Sequence, residues 1–197
     1  MRQPEDVTTT SVWVVRHGET EWSKSGQHTG RTDVPLTAEG ERSALALKPA
    51  LAELRFDTVV SSPRQRARRT AELLGFGDVD VWDDLVEWDY GDYEGRTRRD
   101  IHQERPDWSV WSDGSPGGES PEQVSRRADE VVQRLRDIEG DVLVFSHGHF
   151  LRALAARWLD QPITVGAHLE LATTRFSILG HDRGVATLRL WNAREPG

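Results

Sequence analysis

The chain contains no cysteine, and that single absence removes several chemistries. Disulfides, thiolate nucleophiles and cysteine-ligated zinc are excluded, and the composition fits a cytoplasmic protein. Long hydrophobic runs are also missing, so no segment reads as a membrane span, and the N-terminus shows no signal-peptide pattern. Cations are in the minority, with 25 Lys and Arg against 33 Asp and Glu and a formal net charge of −8. That balance argues against a nucleic-acid binder, which needs a basic face. An acidic protein that handles anions must concentrate its cations locally.

What is present suffices for one folded domain. At 197 residues the chain can bury a substantial core, and with 29% charged residues its surface must be heavily charged. Residues 1–10 are polar, with Thr8, Thr9 and Thr10 in a row, and read as a flexible leader; residues 11–197 are expected to form a single domain. There is no internal repeat and no low-complexity tract.

Short apolar runs rich in β-branched residues mark buried strands at Val12–Val15, Thr58–Val60 and Val142–Phe145. Helical patterns lie between them. Thr37 is an N-cap, followed at helical spacing by Ala44, Leu47, Leu51 and Leu54, with a kink or break expected at Pro49. A second helix is expected from Pro63 to Leu74, stopped by Gly75. A third runs from Pro121 to Ile138, opened by a capping box at Ser120 and Gln123. A fourth runs from Phe150 to Leu159. Two strands near Arg175–Leu179 and Ala186–Leu190 close the chain, and Asp107–Glu119, rich in Trp, Gly, Ser and Pro, reads as a long ordered loop. Alternating strands and helices predict an α/β fold, a three-layer sandwich with a mostly parallel central sheet and helices on both faces.

Two histidines stand just beyond buried strands, His17 after Arg16 and His147 after Ser146, and each precedes a glycine. Ligands in open α/β sheets bind beyond the carboxyl ends of strands, which places both imidazoles on one functional edge. The third strand ends at Ser61-Ser62-Pro63 and opens a helix bearing Arg64, Arg66, Arg68 and Arg69. Histidines and arginines converging there would make a cationic pocket suited to phosphate, whose oxygens match the guanidinium fork. A leaving alkoxide then needs a proton, and Glu87, between Val86 and Trp88, is the best-placed carboxyl. Each residue alone has a plainer reading: a hydrogen-bonding histidine, a solvated arginine face, a surface glutamate. The His147-Gly148-His149 triplet lacks a ligand-rich partner segment, so no metal and no cofactor are expected.

Together the segments resemble the histidine phosphatase superfamily, the phosphoglycerate-mutase-like group. Arg16-His17-Gly18-Glu19-Thr20 with Trp22 is similar to its signature. Four further segments follow in order: Thr29–Thr37, Ser61–Thr70, Leu85–Gly91 with Glu94-Gly95, and Ser146–Gly148. The resemblance implies that His17 is a nucleophile that becomes phosphohistidine, and that Arg16, Arg66 and His147 bind the phosphoryl oxygens. It implies that Glu87 protonates the leaving oxygen and then activates water. It also implies substrate contacts from Ser23, Thr29, Gly30, Tyr90, Gly148 and His149. Ser23 departs from the asparagine found in many relatives. The segment after Glu87 lacks the insertion and arginine pair of the glycolytic mutases, and Arg98 and Arg99 fall too early to replace it. The run Trp108–Ser120 looks more like small acid phosphatases and sedoheptulose-bisphosphatase-type relatives. The expected activity is therefore a metal-independent phosphomonoesterase acting on a small phosphorylated metabolite such as a sugar phosphate. A phosphoglycerate mutase and a catalytically weak phosphate-binding module are the alternatives, a homodimer is open, and the pH optimum is expected to be acidic to neutral.

Overall fold

The computed structural model describes residues 10–194, so the leader expected over residues 1–10 lies almost wholly outside the described residues. Six strands form one sheet in the order β3-β2-β4-β1-β5-β6: β1 (Val12–Arg16), β2 (Thr58–Ser61), β3 (Asp80–Val81), β4 (Val142–Ser146), β5 (Phe176–Asp182) and β6 (Val185–Ala193). The first four are parallel, and β5 and β6 join antiparallel beside β1, so the sheet is mixed with a parallel centre.

Strand alternation divides the core in two. Val12 and Val14 of β1, with Val142 and Val144 of β4, point to one face. There they meet the apolar stripes of α6 (Pro121–Arg136) and α7 (Gly148–Trp158). Trp13 and Val15, with Leu143 and Phe145, point to the other face, against α2 (Ala38–Leu51) and α3 (Gln65–Leu74). Each buried Val or Leu is worth about 1.5–3 kcal/mol, so a one-residue slip in β1 would forfeit both cores. This is the expected three-layer sandwich. Among the described residues no helix is long and apolar enough to cross a membrane.

Several boundaries differ from expectation. Pro49 sits inside α2 without breaking it. It lies in the last turn, and the bond it forgoes is to the carbonyl of Leu45, whose side is exposed. The helix stops at Leu51, before Leu54. Helix α3 starts at Gln65 rather than Pro63, with Arg64 at its N-cap position, and α6 ends at Arg136 instead of Ile138. Helix α7 begins two residues earlier than Phe150, with His147 at its N-cap position. The Asp107–Glu119 loop contains a one-turn helix, α5 (Val110–Asp113). Two further short helices carry local caps that the apolar periodicity did not reveal: α1 (Glu21–Ser25) behind Thr20 and α4 (Arg98–Glu104) behind Thr97.

Candidate active site

The parallel strands end level with one another. Arg16 is opposite Ser146 and Phe145 is opposite Ser61, so the residues leaving β1, β4 and β2 meet at one sheet edge. His17 is fixed there by its own N–H, which donates to Ser146 O at 3.0 Å, and by Gly18 N–H, which donates to Thr70 Oγ1 at 3.0 Å. Thr70 in turn donates to Arg66 O at 2.7 Å, tying the His17 turn to α3.

The His17 tautomer follows from its contacts. Nδ1 lies 2.7 Å from Gly18 O, and a carbonyl can only accept, so Nδ1 carries the proton. Burial, followed by the charges of Arg66 and Arg16, pushes the His17 pKa well below its ordinary value. The ring is therefore neutral near pH 7, and Nε2 keeps its lone pair. His147, fully buried, is held with the opposite tautomer. Arg66 Nε–H donates to His147 Nδ1 at 3.1 Å, which leaves Nε2–H to donate to Ser62 Oγ at 2.7 Å. Burial, then Arg66 and His17, also lowers its pKa strongly. The two imidazole centroids are 5.1 Å apart.

Arg66 is completely buried. Besides His147 it donates to Thr32 O at 2.9 Å, Thr29 O at 3.1 Å and Gly30 O at 3.2 Å, so it also fastens the 29–32 loop. Arg16 donates through Nη1 to Leu171 O, while its buried Nε has no partner among the described residues. The absence of a side chain at Gly148 makes room for it: a Cβ there would stand 3.0 Å from Arg16 Cζ.

Glu87 is buried and held entirely by backbone. Oε1 accepts from Trp88 N–H at 3.0 Å and Phe150 N–H at 2.8 Å, and Oε2 accepts from His149 N–H at 3.0 Å. The latter two N–H groups belong to the first turn of α7, where they have no partner within the helix.

Arg16, His17, Ser23, Thr29, Glu87, Tyr90, Gly148 and His149 all line one cavity of about 180 Å³. Not every expected residue reaches it. Arg66 and His147 are not among the lining residues and stand beside His17 instead. Gly30 packs against Trp88 O, with its N–H donating to Glu94. The Ser23 hydroxyl closes the α1 capping box, accepting from Thr20 N–H at 2.9 Å and donating to Thr20 O at 3.0 Å.

Gly26, Gln27, His28 and Arg152 also line the cavity, and the sequence reading did not single them out. Arg152 was the most accessible of these to sequence, since it lies three residues after His149 on the same helical face. His28, Tyr90 and His149 form an aromatic wall, with the Tyr90 hydroxyl 2.6 Å from His149 Nδ1. Burial lowers His149 strongly and raises Tyr90, so that wall is uncharged near neutral pH. A wider groove of about 650 Å³ between α2 and α3 holds no histidine, and its Arg69 is paired with Glu41 and Glu72.

The arrangement thus offers a neutral imidazole lone pair, adjacent fixed guanidinium charges, and a buried carboxyl at the same cavity. The histidine phosphatase superfamily (branch 1) matches residues 12–194. The chain is 44% identical over 179 residues to an acid phosphatase of Mycobacterium tuberculosis, covering 89% of this chain and 88% of that protein. It is 41% identical to the sedoheptulose 1,7-bisphosphatase of Saccharomyces cerevisiae, covering 74% of this chain and 66% of that one. The solved structure of a Mycobacterium tuberculosis open reading frame product superposes with a TM-score of 0.89 at 42% identity, covering 93% of this chain and 97% of its own. The chain belongs to branch 1 of the histidine phosphatase superfamily and is a phosphatase.

Proposed function

We propose that the protein hydrolyses small phosphomonoesters in two steps through a phosphohistidine on His17 Nε2. In the first step the Nε2 lone pair forms a bond to phosphorus while the bond to the ester oxygen breaks. Arg16 and Arg66 offset the charge that builds on the phosphoryl oxygens, assisted by His147, and Glu87 gives its proton to the leaving oxygen. In the second step Glu87, now a carboxylate, takes a proton from water as that oxygen attacks phosphorus, which frees His17 and inorganic phosphate. The pocket's positive charge comes from side chains, so the reading requires no metal and no cofactor.

The observation that carries the reading is the His17 tautomer. The Gly18 carbonyl fixes the proton on Nδ1 and leaves Nε2 as the nucleophile beside two arginines. Thr29, Tyr90, Gly148 and His149, joined by Gln27, His28 and Arg152, form the substrate wall. A cavity of about 180 Å³ with imidazole, phenol and amide groups suits a hydroxylated metabolite such as a sugar phosphate. The relatives named for bisphosphate and acid phosphatase activity support that substrate class, and the cysteine-free composition supports a cytoplasmic location.

Rapid denaturing quench during turnover of a phosphorus-labelled ester tests the mechanism. Label should be trapped on the peptide containing His17, with the acid lability of a phosphoimidazole. His17→Ala should lose the label and lower kcat by more than about a thousandfold. Substantial turnover by His17→Ala, or label on another residue, would overturn the mechanism.

A further inference from the structure

Glu87 lies in irregular backbone, between 3-10 turns at Asp83–Leu85 and Gly91–Tyr93. Its carboxyl bonds to α7, yet nothing in that contact fixes the chain on either side of it. Before it, Ser146 Oγ–H donates to Leu85 O at 2.7 Å, and the remaining grip comes from α6. Arg127 Nη1 donates to Val86 O at 2.8 Å and Asp84 O at 2.9 Å, and Nη2 donates to Glu87 O at 3.4 Å. The same guanidinium makes a two-pronged pair with Glu119, at 2.9 Å from Nε to Oε1 and 2.7 Å from Nη2 to Oε2. Its Cζ lies 4.4 Å from the centre of the Phe150 ring, and the Phe150 N–H is one of the donors to Glu87.

Glu119 completes the grip on the far side. Its Oε2 accepts from Asp89 N–H at 2.9 Å, its carbonyl accepts from Trp88 Nε1 at 2.9 Å, and its own N–H donates to Asp89 O at 2.9 Å. Asp92 N–H donates to Pro116 O at 2.8 Å, so the end of the Asp107–Glu119 loop is zipped along residues 89–92. Backbone this close leaves no room for side chains: a Cβ on Gly118 would stand 2.2 Å from Asp89 O. The Arg127 and Glu119 side chains are only 12% and 21% exposed, which makes the pair a desolvated one whose halves depend on each other.

We propose that Arg127, braced by Glu119, is a positioning residue for the Glu87 carboxyl, and that the Asp107–Glu119 loop exists in part to deliver that brace. Arg127 holds the carbonyls before and at Glu87, Glu119 holds the Asp89 amide two residues on, and Phe150 joins the clamp to the carboxyl itself. The role rests on the reading of Glu87 as the proton donor.

Leaving-group dependence tests it. Glycerol 2-phosphate releases a poor leaving group that needs a proton, whereas p-nitrophenyl phosphate releases a phenolate that needs little. Arg127→Gln should lower kcat/KM, which reports only the step that breaks the ester bond, about a hundredfold for glycerol 2-phosphate, the cost of displacing a catalytic group by an ångström or so, with less than about a fivefold change for the aryl ester. Glu119→Gln, which keeps an acceptor for Asp89 N–H but removes the charge, should shift the ratio the same way by a smaller factor. Thermal unfolding establishes that each variant is folded, and if Arg127→Gln is not, Glu119→Gln decides. Glu87→Gln is the reference. If it shows the selective loss and the folded clamp variants lose both substrates equally or neither, the clamp is structural only and the proposal is wrong. If Glu87→Gln itself is unselective, the proton-donor assignment falls and the proposal falls with it.

Discussion

Three imidazoles that stay neutral inside the protein should make it sensitive to acid in a defined pH window. Burial lowers the pKa of His17, His147 and His149 well below 6.5, with neighbouring arginines adding to the effect in each case. Unfolding returns each ring to water, where it takes up a proton as pH falls through about 6.5. Between that pH and the lower folded value the unfolded chain binds more protons, so stability falls as pH falls. Each group costs about 1.4 kcal/mol per pH unit within that window. Against a total stability of about 5–15 kcal/mol for a domain, three such groups weigh heavily.

The carboxylates do not confuse this window. Asp100 and Asp113 have pKa values lowered from 3.8 by hydrogen bonds, first from Thr97 and Ser109 respectively, and Glu39 and Glu122 have theirs lowered from 4.5, first by Arg42 and Ser120. Their stabilisation is present above the unfolded value and is lost only as pH falls through the lower folded one, well under pH 5. Urea unfolding at pH 5, 6 and 7 therefore reads the imidazoles. His149→Asn removes one of them. Its stability at pH 7 should drop by about 1–3 kcal/mol because the buried Tyr90 hydroxyl loses its partner at 2.6 Å. The quantity to compare is the pH dependence, which should become shallower, while His28 and His181, also lowered by burial, keep their share of it. A His149→Asn protein with the wild-type slope between pH 5 and pH 7 would refute the account.

Two other expectations concern the phosphate side of the site. Gly148→Ala would place a methyl 3.0 Å from Arg16 Cζ and 3.1 Å from its Nε, while Arg16 is held by Leu171 O. Displacing that guanidinium by a few tenths of an ångström should lower kcat/KM about tenfold with thermal stability nearly unchanged, measured by steady-state kinetics beside a melting curve. Prolonged dialysis against a chelator should leave kcat unchanged, because the positive charge around the pocket belongs to Arg16, Arg66 and Arg152. Activity lost in chelator and restored by a divalent cation would require a different mechanism.

The sequence carried its message best where signals were local and redundant. β-branched runs marked β1, β2 and β4, and the Ser120–Gln123 capping box marked the start of α6. The start of α7 was hidden for a physical reason. Its N-cap position is His147, whose side chain makes no cap bond, and the first-turn N–H groups of His149 and Phe150 are satisfied by Glu87 from 62 and 63 residues away. A non-local cap leaves no trace in the neighbouring residues. Arg127 was hidden in the same way: on α6 it reads as one more arginine of a charged face, and its partners in residues 84–87 adjoin it only after folding.

The division of labour between arginine and histidine also sets how the enzyme should respond to pH. Burial leaves a guanidinium charged but takes the proton from an imidazole. The proposed mechanism, which needs both permanent positive charge and a permanent lone pair, is therefore better served by Arg16, Arg66 and His17 than by any one residue type. His17 keeps its lone pair into acid, so protonation of the nucleophile should not set the acid limb of activity. That limb should instead follow unfolding driven by the three buried imidazoles. The distinction is measurable: kcat/KM taken within seconds of a jump to pH 5 should remain near its neutral value, then decay at the rate of unfolding. A rate that climbs steadily into the alkaline range, or an instantaneous loss at pH 5 without unfolding, would show that His17 is not held neutral by its surroundings.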